Sequence, residues 1–164
     1  MSSAQRRYLL VEHGIGAAAF NLVLNGAIAW LMFRGVTGVP LWGQQSIAGD
    51  TLGTSLLLPV MSSLIVTRVV RAHVRAGRVA PLSWPTVAAG DLRWLPGTPL
   101  RLGASLALVA IALPGVLTVG ALAVLGVAEM PFGSFVLFKA CFAAALAALV
   151  TPVIALSAIA DPGR

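Results

Sequence analysis

Glu12 and His13 stand side by side about one turn inside a long apolar run, and a single lysine, Lys139, stands deep inside another. A carboxylate next to an imidazole can take up and pass a proton near neutral pH. A boundary role is the simpler alternative, because an acid near a helix N-terminus is also favoured by the dipole. Lys139 follows Pro131 by eight positions, about 12 Å at helical rise. From that depth a lysine stem barely reaches the headgroups, so the ammonium needs an acid, a water-filled space or the headgroups themselves. Asp50 and Glu129 lie toward the same end, and a Lys139–Asp50 pair is geometrically available.

Other polar side chains recur at helical spacing. At 100° per residue, Gly14, Ala17, Ala18, Asn21, Asn25 and Ile28 share one face of the first run. There the two Asn either hydrogen-bond across a helix contact or line a polar path. Thr51, Ser55 and Ser62 form a stripe on the second run with Thr54 at its edge. With Asp50, these residues suit the mouth of a polar passage. Alternatively, the hydroxyls satisfy themselves on their own helix and Asp50 caps it. Arg68, Arg71, Arg75 and Arg78 fall on one arc if that helix continues past the membrane. Four guanidinium groups there suit anionic headgroups or an anionic partner.

These residues need helices that cross a bilayer. The chain has 164 residues, 59% hydrophobic and only 10% charged, with a mean hydropathy of +0.95. So few charges cannot cover a water-facing surface, which in soluble domains takes about 25%. Four runs are long enough for a hydrocarbon core that needs about 20 apolar residues: roughly 9–33, 51–72, 102–127 and 132–158. The expected fold is all-α, a single four-helix transmembrane bundle. Pro114-Gly115 predicts a kink in the third span, and Pro152 lies near the end of the fourth. The first run is too long for the apolar stretch of a signal peptide and is read as a retained helix.

Ten of the eleven basic residues are Arg, against five acids. Arg6 and Arg7 flank the first span. The loop at 73–101 and its borders carry Arg68, Arg71, Arg75, Arg78, Arg93 and Arg101, whereas 35–50 and 128–131 carry no Lys or Arg. This distribution predicts that both termini and the 73–101 loop are cytoplasmic, as in a multi-pass protein of a bacterial inner membrane. It also argues for lipid partners, including anionic headgroups, and against nucleic acid. Trp42 is expected at headgroup level on the outer side. Pro81, Pro85, Pro96 and Pro99, with Trp84 and Trp94 between them, predict a broken segment lying along the inner headgroups.

The lone Cys141 excludes an internal disulfide and a CxxC pair. Glu12, His13 and the distant His73 do not make a metal set, and no metal or cofactor is expected. No serine elbow, P-loop or dinucleotide fingerprint is present, so the chain is not expected to be an enzyme. The polar groups within the spans favour a small oligomeric transporter or channel for an ion or small solute. The alternative is a non-catalytic structural or accessory subunit of a larger membrane complex, which the Ala-rich stretch 140–148 suits. An intramembrane lipid-modifying enzyme using Glu12 and His13 ranks third.

Overall fold

The structure is a computed structural model and describes residues 2–82 and 98–160. Among the described residues, four helices are long and apolar enough to cross a membrane: α1 (Ser3–Phe33), α2 (Ile47–Arg75), α3 (Pro99–Val124) and α4 (Phe132–Ala160). Trp84, Trp94, Pro85 and Pro96, which the sequence places along the headgroups, lie outside the described residues, as does Arg93. Each helix extends beyond or shifts from its apolar run, because hydropathy detects the lipid-soluble part and not the caps. α1 starts six residues earlier than expected and α2 four. Ser46 is the N-cap of α2, its hydroxyl accepting from the Gly49 N–H at 3.1 Å. Asp50 is therefore not the cap; it lies within the first turn, leaving its carboxylate free for another helix.

The C-terminal end of α2 corrects a second expectation. Gly77 has a φ of +70°, and the N–H groups of Gly77 and Arg78 bond back to the carbonyls of Val74 and His73. This glycine-dependent closure stops the helix. Arg68, Arg71 and Arg75 share its face, whereas Arg78 lies past the end and is not part of the stripe. Arg68, Arg75 and Arg78 are exposed and Arg71 is half-buried.

The helix last in sequence is the central one. α4 packs against α1 on one side and α2 on another, and α3 packs chiefly on α2. Small residues permit the α1–α4 approach: a Cβ on Gly26 would lie 3.4 Å from Ala140 Cβ, and one on Gly14 would lie 3.8 Å from Pro152 Cγ. These two contacts set the helices antiparallel. Leu58 of α2, Leu106 of α3, and Ala143, Leu146 and Ile154 of α4 form the middle core. α1 and α2 have no extended packing against each other.

The two loops at one end of the bundle pair with each other. Gly38–Pro40 (β1) and Glu129–Pro131 (β2) form a short antiparallel ribbon, with Gly38 opposite Pro131, Val39 opposite Met130 and Pro40 opposite Glu129. Flanking bonds from Leu41 N to Ala128 O and from Phe132 N to Thr37 O lengthen it. Val39 points into a cluster with Phe33, Ile47 and Phe135, so the ribbon is fastened to the helix ends by apolar burial.

Pro114 lies within a π-helical turn, Ile111–Gly115, where the wider turn accommodates the missing N–H. A longer π-helical stretch, Tyr8–Ile15, occupies the first third of α1. It carries Glu12 and His13 and has no proline to announce it.

Candidate functional site: the cleft between α1 and α2

Because α1 and α2 each pack along α4 and meet one another chiefly at the Tyr8–His73 end, a cleft of about 700 Å³ opens between them. α4 forms its floor. Leu24 of α1 and Leu57, Met61 and Ile65 of α2 make its walls and rims, and all four are exposed. Gly53, one turn after Gly49 on α2, widens the end nearest the ribbon. A Cβ built on Gly53 would meet nothing within 4 Å.

The floor at that end holds an ion pair. Lys139 Nζ donates to Asp50 Oδ1, joining α4 to α2. Lys139 is only 5% exposed, so it does not extend its stem to the headgroups. The Asp50 side chain is 10% exposed. Two charges at such burial stabilise each other only as a pair; either alone is costly. Among the described residues, neither makes another hydrogen bond. The remaining ammonium protons and the second carboxylate oxygen are thus still available to a ligand.

Asn21 and Asn25 line the same cleft midway along α1. They do not reach across a helix contact. Asn21 Nδ2 donates to Ala17 O at 3.0 Å, and Asn25 Nδ2 donates to Asn21 O and Oδ1, each at 3.2 Å. Their donors are occupied within α1, whereas the Asn25 amide oxygen stays open to the cleft. Thr54 completes the lining near Asp50.

Thr51 and Ser55 do not belong to this route. Ser55 Oγ donates to Thr51 O at 2.9 Å, and it lies where a Cβ on Gly115 of α3 would come within 2.9 Å of it. It faces the α2–α3 contact. Thr51 is buried and does not line the cleft. The stripe drawn on a helical wheel therefore divides between two neighbours, with Thr54 and Ser62 toward the cleft.

Glu12 and His13 line the opposite end. Glu12 is exposed, whereas His13 is buried and packs edge-on against Tyr8 at 4.7 Å between ring centroids. The Tyr8 hydroxyl and His73 Nδ1 share a hydrogen bond of 2.9 Å. Among the described residues, His13 Nε2 and Thr151 Oγ1 have no hydrogen-bond partner, and both residues border the cleft. Also among the described residues, no three His, Cys, Asp or Glu side chains gather closely enough to hold a metal ion.

No known protein family, curated protein or solved structure matches the chain. Function has to be read from this geometry. Sequence patterning alone does not reveal Thr151, Ser46 or Gly53 as cleft residues. The Gly49–Gly53 spacing is the available signal, but one-turn glycine pairs ordinarily mark close helix contacts, whereas here Gly49 lies against the Ser46 hydroxyl and Gly53 borders open space.

Proposed function

We propose that the chain is a small transporter of a bacterial inner membrane that moves its solute along the cleft between α1 and α2. The observation behind this reading is convergence: Asn21, Asn25, Asp50, Thr54 and Lys139, from three helices, border one continuous space within a single chain. Intramembrane ionisable residues that face a cavity are characteristic of substrate pathways. A cleft inside one chain provides a route that does not depend on an oligomeric pore, although association into a homo-oligomer is compatible with it. The small-residue face of α4 that would suit an accessory subunit is taken up by the chain's own helices, since Ala140, Ala143 and Ala147 are buried inside the bundle.

In this reading, Arg6, Arg7, Arg68, Arg71, Arg75, Arg78 and Arg101 mark the cytoplasmic end, where they meet anionic headgroups, and the ribbon lies outside. Cysteine-labelling tests this orientation after Cys141→Ala. Gln45→Cys, at an exposed position beside the ribbon, is expected to react with an impermeant thiol reagent in intact cells. Ala76→Cys, exposed at the end of α2, is expected to react only after lysis. The reverse pattern would invert the topology.

Transport is tested in proteoliposomes with a labelled amino acid, a carboxylate, an amine and a single-chain phosphocholine. At least one is expected to cross faster than in protein-free vesicles. Gly53→Phe, which places a ring in the cleft, is expected to slow it about tenfold or more, a barrier change of about 1.4 kcal/mol. If none crosses faster in the presence of protein, the accessory-subunit reading takes the place of transport.

A further inference from the structure

We infer that the cleft takes a single-chain zwitterionic amphiphile from the surrounding membrane, its hydrocarbon chain along the apolar walls and its headgroup at the Lys139–Asp50 pair. This inference rests on the transport reading for the route and adds to it the class of molecule carried.

Shape decides the first part. Along α1 the lining runs from Glu12 to Met32, twenty residues, which sets the cleft's length at about 30 Å. Spread over that length, 700 Å³ open to water-sized groups leaves a bore of about 8 Å, under the 10–12 Å of a helix with its side chains. A helix of a second copy does not fit inside it. An extended alkyl chain, about 4 Å across at carbon contact distances, does. The walls, Leu24, Ile28, Leu57, Met61 and Ile65, offer such a chain apolar contact and offer a hydrated ion nothing in exchange for its water.

Charge decides the second part. Lys139 and Asp50 neutralise each other, and each keeps an unused donor or acceptor. An anionic headgroup would compete with Asp50 for the ammonium, and a cationic one would compete with Lys139 for the carboxylate. Either would leave an uncompensated buried charge. A headgroup carrying one charge of each sign places cation against carboxylate and anion against ammonium, and the site remains neutral. The side-chain gap above Gly53, one turn from Asp50, gives the headgroup its entry.

The test uses the full chain in nanodiscs and single-chain probes spin-labelled near the end of an identical tail, with phosphocholine, phosphoglycerol or trimethylammonium heads. The phosphocholine probe is expected to show a motionally restricted fraction, with affinity about tenfold above either singly charged probe. Gly53→Phe is expected to abolish that fraction; its helix remains intact, because the new Cβ meets no neighbour. The Lys139→Met/Asp50→Asn double variant is expected to keep chain binding and lose the headgroup preference. Absence of a restricted fraction, equal affinity for the three heads, or a fraction indifferent to Gly53→Phe would overturn the inference. So would a Gly53→Phe variant whose one effect is to break an oligomer, since the cleft would then belong to a second copy. Restricted probe that never crosses the bilayer overturns transport alone, whereas solute movement with no restricted probe overturns the amphiphile alone.

Discussion

Lys139→Met is expected to lower the stability of the folded bundle by about 3 kcal/mol or more, because it leaves the Asp50 carboxylate buried without its cation. Met keeps the unbranched apolar stem, so the loss reports charge rather than packing. Asp50→Asn strands the ammonium instead and is expected to cost a similar amount. The double variant removes both charges and is expected to return to within about 1 kcal/mol of the parent, as replaced buried pairs commonly do. Thermal unfolding of the four proteins in one detergent gives the coupling directly. Additive losses would mean that the two residues act independently, contrary to the hydrogen bond between Lys139 Nζ and Asp50 Oδ1.

An effect of comparable size is expected at Gly103, where α3 crosses α2. A Cβ there would lie 2.9 Å from Val60 Cα, 3.0 Å from Ser63 Cβ and 3.3 Å from Pro59 O. Two of these atoms are backbone and cannot rotate away. Gly103→Ala is expected to cost about 1–3 kcal/mol by forcing the helices apart, and Gly103→Leu to cost more. The displacement also threatens the bond from Ser63 Oγ to Pro99 O, 2.6 Å long, which fastens the start of α3. Gly120 is the control on the same helix. Nothing lies within 4 Å of its added Cβ, and Gly120→Ala is expected to be neutral or to stabilise by up to about 1 kcal/mol through helix propensity. Equal unfolding midpoints for the Gly103 and Gly120 variants would contradict the close crossing.

Four spans are legible because lipid imposes a length and a polarity on any helix crossing it, and both are one-dimensional properties of a chain. The availability of Asp50 to Lys139 is legible for a related reason: both lie near the same end of their runs, so depth alone brings them level. Which face meets which neighbour is not written in that way. Ser55 and Thr54 are adjacent in sequence and both hydroxylated, yet one meets α3 and the other the cleft, because the order of packing around α4 decides it. Asn21 and Asn25 fall on the expected face, but a helix backbone four residues back satisfies their donors more readily than a distant partner does. The ribbon escaped because each strand is three residues long and has no alternation to detect. Ser46 is not legible as a cap because hydropathy begins the helix at Thr51.

The contacts that give the bundle its shape join residues about ninety positions apart: Val39 with Met130 in the ribbon and Asp50 with Lys139 in the ion pair. A chain synthesised from its N-terminus presents α1 and α2 long before α4 exists, and those two helices have little to hold them to each other. Until α4 enters, Asp50 lacks its counter-charge and β1 lacks its partner strand. In the folded bundle, the last helix and the strand leading into it supply at once the partner that completes the ribbon, the cation for Asp50 and the floor of the cleft. A chain cut before Glu129 is therefore expected to carry an unpaired acid and an open strand edge, and to be degraded faster than the full chain in a pulse-chase measurement.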